Sequence, residues 1–299
     1  MGELRGPRGG IGYERDDLGF PSIEARDLDE ATWARGWFHA YDRLVQVQLM
    51  LAIGRGRACA LLGDTPQARY IDRMTRVHRF TDDLDAEAAK LSPGMRQLLD
   101  TYATGFNAGA AARGWPMLLR AVGIKPQPYR AQDLLLIYKV AAWFGLNQLI
   151  EMATMITSEL VAMGAPARGI GVLLGDAVTA DEIAAAPRAD WPPDLSAFRP
   201  TGVRGSNGIA IAGSRSASGG ALLAADPHME IARIPPVLYA MHATYGSSNY
   251  IQGLYIPGFW NPSFGRTPHI AWTYTYGHVQ SVDQRVVRCR KGEMHDGAS

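Results

Sequence analysis

The sequence predicts an α+β fold, and three observations carry that reading. Apolar residues recur at helical spacing through most of the first 175 positions. From Ser206 onward the period shortens to strand-like alternation, interrupted by Gly, Pro and aromatic residues. Between the two, residues 176–204 are rich in Ala, Pro and Asp and poor in large apolar side chains, as in a linker or lightly packed loop. Helices first and strands afterwards is the α+β order, with the sheet expected to begin at the serine. The expected organisation is a mainly helical region at 1–175, a spacer at 176–205 and a sheet region at 206–299.

Taken in order, residues 10–25 read as extended chain. Asp16-Asp17-Leu18-Gly19 supplies a turn, and Pro21 keeps Phe20 out of the α region. Asp27 or Asp29 then caps a helix entering at Glu30. Trp33, Trp37, Leu44, Val47 and Leu51 share one broad face of it, a core stripe, and Gly54 and Gly56 end it. A second helical pattern covers 83–113, and a third, very apolar, covers 131–163. Within the third, Glu151 requires a partner, a cation or an exposed face, because a carboxylate buried alone is strongly disfavoured. After the spacer, Ile209 and Ile211 alternate, Gly213 to Gly220 turn the chain, and Ala221 to Ala225 run out again. Val237–Tyr245, Tyr250–Leu254, Ile270–Tyr276 and Val282–Val287 are further predicted strands, with Pro257-Gly258 the clearest turn.

Composition excludes several classes. The 299 residues are 47% apolar and 20% charged, enough for a substantial core in one large domain or two. A net charge of +1, with no basic patch interleaved with aromatics, gives no field directed at nucleic acid or an anionic membrane. No stretch approaches about eighteen apolar residues without a charge, so no membrane-spanning helix is expected. Cys59 and Cys289 fit no zinc spacing and are expected as two free, buried or half-buried thiols. Met1 to Gly12 is charged and glycine-rich and has no apolar h-region, so no signal peptide is visible. The expectation is a cytoplasmic chain or one whose natural start lies upstream. Val286-Val287 runs into Lys291-Gly292-Glu293 in a strand-like context and then stops, so a partial chain is expected.

Gly205-Ser206-Asn207 is the tripeptide where chemistry concentrates. Serine is a poor nucleophile until some base takes its proton. A serine that becomes the first residue of a new chain carries that base itself, since the α-amine has a pKa of about 7.7–8.0. Gly205 leaves the preceding carbonyl uncrowded. If Asn207–Gly213 and Gly220–Pro227 form a hairpin centred on Ala217, Ser206 falls opposite His228. A one-residue slip of register would send one of the two side chains to the other face.

Three groups of residues then resemble one family. Ser206-Asn207-Gly208, Ser214-Arg215-Ser216-Ala217-Ser218-Gly219 and Leu223-Ala224-Ala225-Asp226-Pro227-His228 resemble the start of the β chain in the penicillin acylase family, whose members are N-terminal nucleophile hydrolases. Arg15-Asp16, Gly19-Phe20-Pro21, Ala40-Tyr41-Asp42-Arg43-Leu44, Gly56-Arg57 and Leu61-Leu62-Gly63 resemble its α chain. Pro257-Gly258, Gly265 and Ile270-Ala271-Trp272-Thr273-Tyr274-Thr275 resemble its oxyanion region.

The resemblance implies a helical α-chain region followed by the start of an αββα sandwich of antiparallel sheets. It implies self-cleavage between Gly205 and Ser206, after which Ser206 hydrolyses an acyl amide through an acyl-enzyme. His228 matches a position near the new amine, with a positioning role, and Tyr276 matches the residue whose backbone N–H serves the oxyanion hole. Glu151 and Asp283 match two ligands of a structural calcium ion; the chemistry itself requires no cofactor. Met229, Trp143, Phe144, Leu149 and Tyr274 are candidates for an apolar acyl pocket or for core. The implied partners are the two chains of an α/β heterodimer cut from one precursor, and a small acyl amide as substrate. Relatives are often periplasmic or secreted. The chain departs from the family at Gly265-Arg266-Thr267, where Gly-His-Asn is usual, and at Gln280, where an acidic ligand is usual. The family's second oxyanion donor, an asparagine, and a neighbouring arginine lie farther downstream than residue 299.

Two rival readings are an inactive relative serving as a folding or binding module, and a Ser206-His228-Asp226 hydrolase. The second lacks a Gly-x-Ser-x-Gly elbow and has its Asp and His only two residues apart.

Overall fold

The computed structural model describes residues 2–143, 156–174, 180–185, 206–228, 236–275, 288–290 and 293–295. Its described residues form two compact units, one of 1–141 with 194–276 and one of 142–193 with 277–299. The fold is α+β.

In the first unit the sheet starts at the N-terminus, which corrects the expectation that it starts at the serine. Strands β1 (Gly2–Gly6), β2 (Gly9–Arg15) and β3 (Pro21–Ala25) pair antiparallel in sequence. The β2–β3 turn is held by Asp16, whose Oδ1 accepts from the Leu18 and Phe20 N–H groups at 3.0 and 2.8 Å. The extended chain expected at 10–25 is β2, the turn and β3, whereas glycine-rich, charged sequence hides β1; one side of each strand faces solvent, and Leu4, Ile11, Pro21 and Ile23 turn inward to be buried.

The sheet continues through β6 (Tyr239–Tyr245), β7 (Asn249–Tyr255), β8 (Phe264–Arg266) and β9 (Ala271–Trp272), in the order β1-β2-β3-β6-β7-β8-β9. Every pairing in it is antiparallel except β3 with β6, which is parallel, Ser22 opposite His242 and Ala25 opposite Tyr245. Of the strand predicted at Ile270–Tyr276, Ala271–Trp272 is strand among the described residues, and Val282–Val287 lies outside them. Ser206 instead opens a separate hairpin of β4 (Ser206–Ile211) and β5 (Leu222–Pro227).

Helix α1 (Leu28–Gly54) covers the sheet. Asp27 caps it, accepting from the Glu30 N–H at 2.9 Å, and Arg8 pairs with the same carboxylate at 2.6 Å. Its Ala31, Trp33, Ala34 and Phe38 pack with Leu4, Ile11, Ile23, Met241 and Ala243 in one core. Further along the predicted stripe, Leu44, Val47 and Leu51 are buried and Trp37 is half-buried. Short helices α2 (Ala58–Leu62) and α3 (Pro66–Val77) follow.

The predicted helix at 83–113 is two, α4 (Leu84–Lys90) and α5 (Pro93–Arg113), because Ser92 and Pro93 form a new start: Ser92 accepts from the Met95 N–H. Helix α5 packs along α1. Beyond α6 (Met117–Ala121), helix α7 (Ala131–Ala142) begins the apolar pattern predicted at 131–163. Residues 156–162 are helical again (α8), and 144–155 lie outside the described residues.

The second unit contains α8, α9 (Ala167–Leu174), α10 (Ala180–Ala185) and a hairpin of β10 (Arg288–Arg290) with β11 (Glu293–His295). Helix α10 lies within the segment read as linker, so that segment is not loop throughout. Cys59 is a half-buried free thiol, as expected.

Candidate active site

Ser206 is the first residue of β4 and is half-buried. The hairpin that carries it is in the register Ser206 opposite Pro227, Asn207 opposite Asp226 and Ile211 opposite Leu222. The expected pairing of Ser206 with His228 is therefore one residue out. The cause is the connection at 212–221, which is centred between Ser216 and Ala217. It contains a single 3-10 turn at Gly213–Arg215 and a Gly219 at φ +72°.

The slip matters because side chains alternate along a strand. Asn207, Asp226 and His228 share one face, and Ser206 and Pro227 belong to the other. His228 Nε2 lies 3.0 Å from Asp226 Oδ2 and 3.3 Å from the Asn207 amide nitrogen. In this arrangement the imidazole is exposed and engaged with Asp226, the residue paired with Asn207 across the hairpin. A Ser-His-Asp relay needs Nε2 turned to the serine hydroxyl. Here that nitrogen is held by the aspartate instead, on the face away from Ser206.

The other wall beside β4 comes from the chain after β9. A Cβ on Gly208 would lie 2.8 Å from Thr273 Cγ2 and 4.0 Å from Thr275 Cγ2, so the missing side chain admits this close approach. The Thr273 hydroxyl is buried there with no hydrogen-bond partner among the described residues. Trp272, just before it, is fixed by its indole N–H to the Pro262 carbonyl at 3.1 Å.

Of the remaining candidates, Tyr274 is exposed and Trp143, in the second unit, is buried. Gly205, Tyr276, Met229, Phe144, Leu149, Glu151 and Asp283 lie outside the described residues. No group of three or more His, Cys, Asp or Glu among the described residues is placed to hold a metal ion. No described helix is long and apolar enough to cross a membrane.

Sequence reasoning missed Thr273 and the role of Gly208, although both stood inside quoted motifs. A glycine two positions into a strand is a signal of close backbone approach.

Residues 14–298 match the family described as penicillin amidase, so the chain belongs to that family. Among its relatives is the acyl-homoserine lactone acylase QuiP of Pseudomonas putida, 26% identical over 290 residues, which cover 90% of this chain and 34% of that protein. The penicillin acylase 2 proenzyme of Pseudomonas sp. (strain SE83) is 26% identical over 298 residues, covering 91% of this chain and 37% of that protein. A solved structure of thermostable penicillin G acylase from Alcaligenes faecalis aligns with a TM-score of 0.42 at 22% identity, covering 64% of this chain and all of that one. The chain thus spans about a third of the length of the curated relatives it matches.

Proposed function

We propose that this chain belongs to an amide hydrolase of the acylase type, in which Ser206 becomes an N-terminal nucleophile after the chain cuts itself at Gly205–Ser206. The observation that carries the reading is the place of Ser206 at the head of β4, inside a span that matches the penicillin amidase family on both sides of it. The word proenzyme in one relative's name supports processing.

In the first step Ser206 Oγ bonds to the Gly205 carbonyl carbon and gives up its proton. The Gly205–Ser206 C–N bond breaks, the nitrogen takes a proton, and an ester joins Gly205 to Oγ. Water hydrolyses the ester, leaving a Gly205 carboxylate and a Ser206 with free hydroxyl and free α-amine. That amine, unprotonated in part near its pKa of about 7.7–8.0, then takes the Oγ proton as Oγ attacks a substrate amide. The tetrahedral intermediate expels the amine product with that proton, and water resolves the acyl ester to regenerate Ser206.

A backbone N–H from Tyr276 serves the oxyanion; one such donor is worth about 2.7–4 kcal/mol. His228 holds Asp226, the residue paired with Asn207, and so steadies the nucleophile's strand, leaving the α-amine as base. The substrate class is an acyl group on an amide nitrogen, by analogy with relatives named for acyl-homoserine lactones and penicillin. A structural calcium ion takes carboxylate oxygens from Glu151 and Asp283, and no chemical step passes through it.

Intact mass and N-terminal sequencing of the full-length product test the proposal. A new N-terminus at Ser206, abolished by Ser206→Ala, is the expected result. A wild-type chain that stays whole rejects it.

A further inference from the structure

Four consecutive residues between β7 and β8 are each gripped by a side chain from the helical region. The Gly258 carbonyl accepts from the Tyr129 hydroxyl at 2.7 Å. The Phe259 ring stacks on Tyr138 at a centroid distance of 4.0 Å. The Trp260 carbonyl accepts from Arg35 Nη1 at 3.1 Å, and Asn261 Oδ1 accepts from the Tyr138 hydroxyl. Arg35 is fully buried and has no carboxylate partner among the described residues. Its charge is spent on the Ala31 and Trp260 carbonyls and the Thr32 hydroxyl, which makes the bond to the loop a charge-assisted one.

The gripped segment is in turn tied to the serine's surroundings. The next residue, Pro262, accepts from the Trp272 indole. Gly265 permits the fit, since a Cβ there would lie 2.7 Å from Trp272 and 2.9 Å from Pro262. One residue past Trp272 the chain leaves its strand and runs as Thr273–Thr275 against Gly208, two residues from Ser206. Residues 273–275 follow the end of β9, and Trp272 is the residue just before them that is bonded to the loop.

We propose that Arg35, Tyr129 and Tyr138 are positioning residues for the Ser206 site. They act through residues 258–262 and Trp272 to hold 273–275 against the nucleophile's strand. This inference rests on the acylase reading above. A reacting group displaced by roughly 1 Å loses on the order of 100-fold in rate, so a clamp of this kind bears directly on the cleavage step.

The test compares the full-length chain with its Tyr129→Phe/Tyr138→Phe form, and with Leu4→Ala as a control, a buried change in β1, which β2, β3 and β6 separate from β7. Two readouts are taken: the rate of cleavage at Gly205–Ser206 by intact mass, and amide hydrogen exchange. The expected result is faster exchange at 256–263 and 271–275 with α1 and α5 still protected, and cleavage slowed about 10- to 100-fold. Leu4→Ala, though destabilised overall, keeps the wild-type rate and the wild-type protection at 271–275. Should the double variant not fold, Tyr138→Phe alone keeps the ring stack, loses one hydrogen bond and carries the same readouts. Wild-type exchange at 271–275 in the hydroxyl-less chain, or wild-type cleavage despite loosening, overturns the proposal. An uncleaved wild-type chain rejects the acylase reading itself, and the exchange comparison then decides the clamp.

Discussion

His39 sits on α1 between the core and the kink at Arg43, where φ is −129° and ψ 20°. It has no exposed surface, its Nδ1 lies 2.6 Å from the Tyr102 hydroxyl, and Tyr239 and Tyr255 meet its ring edge-on. Burial first, then the nearby charges of Arg35 and Arg43, push its pKa down to about 3. In the unfolded chain an imidazole titrates near about 6.5. As pH falls below that value the unfolded state takes a proton the folded state refuses, so stability falls. The loss stops growing only as folded His39 itself protonates near 3. For one proton the slope is at most about 1.4 kcal/mol per pH unit. Thermal melts between about pH 7 and pH 5 are expected to fall less steeply for His39→Gln than for the wild type, even though the variant is less stable at pH 7. Parallel slopes would reject the assignment. Ser206 was legible in the sequence because its reactivity depends on residue type and on the bond before it. His39 was not, because an imidazole's protonation depends on what the fold packs around it.

At the scale of elements, the contact between α1 and α5 is made by glycines. A Cβ on Gly105 would lie 1.9 Å from the Trp33 carbonyl oxygen, and one on Gly109 2.2 Å from that of Trp37. Gly36, on the facing helix, would meet the Tyr102 carbonyl oxygen at 2.2 Å. The helix backbones are in direct contact, and no side-chain rotation relieves an added methyl. Alanine favours a helix over glycine by up to about 1 kcal/mol, whereas overpacking costs about 1–3 kcal/mol or more. Gly105→Ala should therefore lower the urea midpoint. Gly94→Ala, in the first turn of α5 with open space around it, should raise it slightly. The helical periodicity of α1 and α5 was visible in the sequence, and Asp27 was visible as one of two possible caps. The break at Ser92-Pro93 has its signal in the serine cap and the proline that opens α5. The hairpin register was not recoverable, since Leu222 to Ala225 are apolar at consecutive positions and either register sets apolar side chains across from Ile209 and Ile211.

Across the whole molecule, the parallel pairing of β3 with β6 joins residues on either side of Gly205–Ser206 in one sheet. Parallel neighbours need a long crossover, here everything from 26 to 238. If the bond is cut, the two pieces still share that sheet and the core between α1, β3 and β6. The expected outcome is one peak by native size exclusion and two bands on a denaturing gel; separation under native conditions would contradict it. If Glu151 and Asp283 hold calcium, adding calcium after chelation raises the melting temperature of the wild type. The rise is lost in Glu151→Gln and Asp283→Asn, and equal melts with and without the ion would remove calcium from the reading.

By itself the sequence determined the α+β class, the main helices, the position of the serine and the family to which the chain belongs. These depend on local periodicity and on residue identity at fixed spacing. Only the tertiary structure decided that the sheet is assembled from both ends of the chain, and that His228 is held by Asp226. The tyrosine and arginine grip on 258–261 also emerges only there. Each of these joins residues distant in sequence, or turns on a one-residue register, and such pairings are selected by packing against the rest of the fold.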